Sequence, residues 1–151
     1  MSRIRIVVAD QAEAIFYDTT SLQTRPTEVA RISDPVAHQH EQDLVSDRPG
    51  RIHASVGGAR SSMDLEDAPR KQEAVRFARR IARRLDDARR KGEFDELIVV
   101  AGPPFLGVMR GELSRPTRQR VVHEIQKDLV HGPVEQLRRH LPESAAEARP
   151  S

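Results

Sequence analysis

Leu97 to Ala101, the sequence LIVVA inside DELIVVAG (Asp95–Gly102), is an unbroken run of aliphatic residues with no polar position alternating between them. So short a run, rich in β-branched side chains, reads as a strand buried on both faces rather than as a helix. A strand of that kind belongs in the middle of a sheet with elements packed above and below it, which draws the fold toward the α/β class.

The rest of the chain can be arranged around this strand. RIRIVVA (Arg3–Ala9) alternates and then turns wholly apolar, as a strand does on entering a core. AIFYD (Ala14–Asp18) and TEVARIS (Thr27–Ser33) follow after short polar connections, so three consecutive antiparallel strands are expected. Asp67 suits an N-cap and Pro69 a first turn, opening a helix that runs to about Lys91 and stops at Gly92. On it Ala74, Ala78, Ile81, Leu85 and Ala88 share one face, with Phe77 and Ala82 beside them. After the central strand, PPFLGVMRGEL starts a helix with prolines where missing N–H groups do least harm. A helical turn near Arg115–Arg120, a strand VVHEIQ (Val121–Gln126) and a short helix GPVEQLRRHL (Gly132–Leu141) complete the pass. The order βββ-α-β-α-β-α predicts an α/β fold with a mixed sheet covered by helices, the order of ribonuclease H-like folds.

With 151 residues, of which 3% are aromatic, the chain suits one domain whose core is filled by Val, Ile, Leu and Ala. The expected division is a single domain over 1–141 and a disordered tail over 142–151, where PESAAEARPS has little to bury. The absence of cysteine excludes disulfides, thiolate zinc sites and cysteine nucleophiles. Near the N-terminus the apolar run is only Ile6 to Ala9, too short for a signal-peptide core or a membrane span. A cytoplasmic location with no membrane association is expected.

The net charge of +2 hides an uneven distribution. Residues 70–91 hold ten basic and three acidic groups, whereas 1–69 hold seven and eleven, and 92–151 hold eight and nine. The helix cations, among them Arg76, Arg79, Arg80, Arg83 and Arg84, are suited to neutralising phosphates, with guanidinium groups making bidentate contacts. A solvated face balanced by Glu73, Asp86 and Asp87 is the plainer account, but so many cations on one helix exceed what solubility asks. The scarcity of aromatic residues argues against sequence-specific reading of single-stranded RNA.

From Asp34 to about Asp67 no periodicity survives, apart from a short helical turn expected around Gln39–Val45, and turn formers recur in Asp34-Pro35, Arg48-Pro49-Gly50 and Gly57-Gly58. So long a segment without regular elements is uncommon in a domain and is usually functional or disordered. Within it, SDRPGRIHASVGGARSSMD (Ser46–Asp64) sets Gly57-Gly58 among Arg48, Arg51 and Arg60, a composition suited to an arm that enters a phosphate-rich cleft. A surface loop or a dimer contact also accounts for it.

Other chemistries are less well provided for. Asp10 and Glu73 would be two of the carboxylates of a metal-dependent nuclease, but VVAGPP at the end of the fourth strand offers no further acid. His38, His40, Glu41 and Asp43, joined by His53, could ligate a divalent ion; His38, His40 and Asp43 stand as weak metal candidates without a helical His-x-x-x-His to support them. Ser55, Ser61 and Ser62 lack a Gly-x-Ser-x-Gly elbow, so nucleophilic catalysis is set aside, no catalytic residue is assigned, and no cofactor is implied.

The series VVAD, DPVAHQHEQDLVSDRPGR, GGAR, RFARRIARRL, LIVVAGPPFLGVMR and EIQKDL resembles the bacterial host-attachment protein family over nearly the whole chain, to about Leu141. That family is in turn similar to the middle domain of the archaeo-eukaryotic class I peptide-chain release factors, which has a ribonuclease H-like core. In those factors a Gly-Gly-Gln loop precedes a basic helix with an Arg-Phe-Ala-Arg-like run, followed by an apolar strand ending in Ala-Gly. Here Gly57-Gly58, Arg76-Phe77-Ala78-Arg79 and Val99-Val100-Ala101-Gly102 stand in the same order. At the position of the Gln stands Ala59, followed by Arg60, and a methyl group offers neither donor nor acceptor for placing water at a peptidyl-tRNA ester.

The resemblance therefore implies a non-catalytic or weakly catalytic domain that associates with the ribosome or tRNA. Arg51, Gly57, Gly58, Arg60, Arg76, Arg79, Arg80, Arg83 and Arg84 would form its contact surface. Two other readings stay open. One is an interaction module for attachment to host cells, with the loop as a partner or homodimer surface and no RNA role. The other is a metal-dependent hydrolase built on Asp10, His38, His40 or Asp47.

Overall fold

The computed structural model describes residues 2–39 and 59–143, with the backbone alone over 59–68. Strands β1 (Ile4–Ala9), β2 (Glu13–Thr19), β3 (Thr27–Ser33), β4 (Glu96–Ala101) and β5 (Val121–Ile125) form one five-stranded sheet in the order β3-β2-β1-β4-β5. Helices α1 (Ala59–Arg90), α2 (Pro103–Glu112), α3 (Arg115–Arg118) and α4 (Val134–His140) surround it, and residues 35–39 are also helical. The fold is mixed α/β: β1, β2 and β3 pair antiparallel, while β1–β4 and β4–β5 pair parallel.

The two most apolar strands are the ones placed side by side, in register from Ile4 opposite Glu96 to Ala9 opposite Ala101. Their side chains alternate between two cores. Val7, Ala9, Leu97 and Val99 face one, and Ile6, Val8, Ile98 and Val100 face the other. The turn from β1 to β2 is held by Asp10, whose Oδ1 accepts the backbone N–H groups of Ala12 and Glu13, both at 2.8 Å.

The first core is closed by α1 and α2. Phe77, Ile81 and Leu85 of α1 and Phe105, Leu106 and Met109 of α2 pack with Phe16 and the inner residues of β1 and β4. Burying one such side chain is worth about 1.5–3 kcal/mol, so this apolar stripe is what docks α1 and turns its arginines outward. Both helices belong to crossovers that move the same way along the sheet, which puts them on one face when the crossovers share a hand. The other face is covered by Leu137 of α4 with Leu129 and Val130. Arg5, buried in β1, is satisfied by Asp18 (2.6 and 3.0 Å) and Glu93 (3.3 Å).

One expected boundary is corrected. Helix α1 begins at Ala59, not at Asp67, and Pro69 lies inside it. Proline deletes one helical hydrogen bond but does not oblige a helix to start there, and Ala59, Met63, Leu65 and Glu66 are good helix formers that carry the backbone through. As a result Arg60, expected on the glycine loop, belongs to the first turn of α1. Residues 35–39 are helical, with Asp34 Oδ1 accepting the Val36 N–H at 3.0 Å, and of the turn expected around Gln39–Val45 all but Gln39 lies outside the described residues. The stop after α1 is as expected, with Gly92 at φ +73°, a conformation that side chains disfavour.

Candidate functional site

On α1 the arginines divide by what they touch. Phe77, Ile81 and Leu85 face the sheet, so at 3.6 residues per turn Arg76, Arg79 and Arg83 project from the opposite side, and all three are exposed. Arg76 pairs with Glu73 at 3.1 Å and Arg79 with Glu112 of α2 at 3.0 Å. Arg83 has no acid partner among the described residues. Arg80 and Arg84 flank the buried stripe on the β2–β3 side. The Arg80 guanidinium lies over Phe77 at 5.4 Å and donates to the Ser33 carbonyl at 3.2 Å, and that of Arg84 lies over Phe16 at 5.4 Å. The helix thus presents an outward guanidinium row, of which Arg83 alone carries an uncompensated charge, and a side pair engaged in packing.

Where the chain leaves β3, a carboxyl pair ties α1 to the sheet. Asp34 is 3% exposed; its backbone N–H donates to the Ala12 carbonyl at 2.8 Å, and its Oδ1 accepts the Val36 N–H at 3.0 Å. Its Oδ2 is buried without a donor among the described residues. Glu73 lies close by: the interaction with Asp34, then burial and the Asp34 charge, raise the Glu73 pKa, with Arg76 opposing them. Glu73 is therefore engaged with Asp34 and Arg76, whereas Asp10 holds its turn with His131 at 3.4 Å. The nuclease candidates have separate structural partners, and no group of three or more metal-ligating side chains occurs among the described residues.

At the other end of α1, Asp86 organises a polar cluster that holds α3. Its Oδ1 accepts the hydroxyls of Ser114 (2.6 Å) and of the fully buried Thr117, and Arg89 donates through Nε to Thr117 Oγ1 at 3.1 Å. Burial alone would push the Asp86 carboxyl up. The hydrogen bonds from Ser114 and Thr117, with the charges of Arg89 and Arg90, outweigh it and hold the group below its ordinary value. Ser114 also caps α3 by accepting the Thr117 N–H.

Beyond α3, next to β5, lies a groove of about 490 Å³. Leu113, Val121 and Val122 supply its apolar lining, and Arg118 and His123 its polar lining. Arg110 and Glu124, also lining residues, form a bidentate pair with contacts of 2.6 to 3.0 Å.

Of the remaining sequence candidates, Arg51, Gly57, Gly58, His40, Asp43, Glu41, Asp47, His53 and Ser55 lie outside the described residues, and of Arg60, Ser61 and Ser62 only the helical backbone is described. His38, in the 35–39 helix, is half-buried and its backbone N–H donates to the Asp34 carbonyl at 3.1 Å. Sequence reasoning passed over Arg115, Arg118 and Arg120, all exposed. The available signal was SRPTRQR, three cations with no acid. Among the described residues, no helix is long and apolar enough to cross a membrane.

A family model described as protein required for attachment to host cells matches residues 5–141. No match was found among curated proteins.

Proposed function

The chain belongs to the family of proteins required for attachment to host cells, and from that premise we propose that it is a release-factor-like domain, non-catalytic or weakly catalytic, that associates with ribosomal or transfer RNA in the cytoplasm. The observation that carries this reading is the outward row of Arg76, Arg79 and Arg83 on a helix whose opposite face is buried. The three-strand meander followed by alternating helices and strands supports a ribonuclease H-like core and, with it, the release-factor likeness. The reading takes 1–141 as one domain, with 142–151 as a tail. Arg51, Gly57, Gly58 and Arg60 are the remaining contact residues, and Ala59 makes peptide release an unfitting activity.

The test is co-sedimentation with ribosomes, and filter binding of tRNA, at 50 and 200 mM salt. Association that falls steeply with salt, and falls further in Arg76→Glu and Arg83→Glu, supports the reading. Absent or salt-insensitive association of the wild-type protein overturns it. These two positions are better probes than Arg80 and Arg84, where charge reversal would also disturb contacts with Phe77 and Phe16.

The family description itself favours a second reading, an interaction protein of host-cell attachment that uses the glycine loop as a partner or homodimer surface. Fractionation separates the two, since recovery at the cell surface rather than with ribosomes would select the second.

A further inference from the structure

We infer that the groove bounded by α2, α3 and β5 is a seat for one nucleotide unit of single-stranded RNA, with Arg118, which lines it, and Arg115, one turn away on the same helix, taking the phosphate and Leu113, Val121 and Val122 facing the base. The inference rests on the RNA reading above and adds to it a site on a different element.

Charge compensation leaves Arg83 as the one cation of the outward row on α1 without an acid among the described residues. Arg76, Arg79, Arg89 and Arg90 each have an acid within 3.0 to 3.6 Å, and that acid must be outweighed before a phosphate gains anything. Arg115 and Arg118 are exposed and have no acid partner among the described residues, so their guanidinium groups are free to make bidentate contacts. Glu124 would repel an anion, but Arg110 binds both of its oxygens and neutralises it.

The shape of the groove is informative too. Val121 packs with the α1–α2 core and Val122 with the opposite core, yet both line the groove. It therefore opens along the outer edge of β5, beside which only β4 pairs among the described residues. Backbone N–H and C=O groups on that edge, which pair with no strand among the described residues, can with His123 meet the hydrogen-bonding edge of a base, and the valines and Leu113 its apolar face. A volume of about 490 Å³ is in the range of small-molecule sites and exceeds what a lone phosphate needs.

The test is fluorescence anisotropy with a labelled ten-nucleotide single-stranded RNA at 50 mM salt, using the full chain. Arg115→Gln and Arg118→Gln are each expected to weaken binding several-fold and to lower the salt slope by about 0.7, with unchanged melting because both side chains are exposed. Binding by the wild-type protein that both variants retain in full would overturn the inference while leaving the α1 reading standing. Displacement of the RNA by a glutamate decamer or by a nucleoside monophosphate at equal concentration would also overturn it, as it would identify the occupant as an acidic peptide or a free nucleotide. If the wild-type protein binds no RNA, the reading above falls, and this site with it.

Discussion

Asp86→Ala is expected to loosen α3 from α1 and lower stability by about 3–4 kcal/mol. Two hydroxyls donate to this one carboxylate, and a hydrogen bond to a charged acceptor is worth about 1.5–3 kcal/mol. Arg89 adds an ion pair at 3.6 Å, with side-chain exposures of 16% and 17% that limit solvent screening. Removing the carboxylate leaves the buried Thr117 hydroxyl and the Ser114 hydroxyl without their acceptor, and water reaching the partly open side of the cluster offsets some of the loss. For a chain of this size each kcal/mol moves the melting temperature by roughly 2–4 °C, so a fall of about 10 °C is expected at pH 7. Asp86→Asn, which keeps an acceptor oxygen but not the charge, should lose about half as much.

The pH dependence supplies a second check. The folded Asp86 pKa lies below its unfolded value of about 3.9, so its contribution is present above that value and is lost as pH falls through the folded one. The gap in urea midpoint between wild type and Asp86→Ala should therefore be widest at neutral pH and narrow below pH 4. A melting temperature within 2 °C of wild type at pH 7, or a gap that widens on acidification, would refute the reasoning. Because α3 carries Arg115 and Arg118, RNA binding by the same variant should weaken as well.

Three further outcomes are expected. Phe77→Ala empties a site that is 0% exposed and removes the ring packed 6.2 Å from that of Phe105; urea denaturation should show a loss of about 3–5 kcal/mol. Glu73→Gln sets a non-titrating amide beside Asp34 in place of the carboxyl. The raised wild-type pKa means that this group's stabilisation is present below its unfolded value of about 4.3 and is lost as pH rises through the folded one, so urea midpoints should show the variant gaining on wild type as pH rises above that value. Arg83→Gln should lower the salt slope for single-stranded RNA by about 0.7 with no change in melting, whereas Arg84→Gln should also cost about 0.5–1 kcal/mol of stability by uncovering Phe16, which paired binding and thermal-melt measurements would separate.

Much of the fold could be read along the chain because its determinants are local. LIVVA and RIRIVVA are apolar beyond what an exposed strand tolerates, and they became the adjacent parallel pair β4 and β1. The Phe77–Ala88 face repeats at helical spacing and became the buried side of α1. The start of α1 was misplaced because Pro69 was given the meaning of a first turn, although a helix can run through a proline at the loss of one hydrogen bond.

The sequence by itself determined the five strands, the apolar faces and the concentration of arginine on one helix, since periodicity and composition act within a few residues of one another. Tertiary structure alone decided which charges are free. Arg79 is compensated by Glu112 and Arg110 by Glu124, Arg84 lies over Phe16, and Arg83 and Arg118 meet no acid among the described residues. Asp34 met Glu73, and Asp86 met Ser114 and Thr117, only because packing α1 on the sheet brought distant segments within hydrogen-bond reach. Hydrogen bonds and ion pairs depend on separations of a few ångströms in space, and distance along the chain carries no record of them.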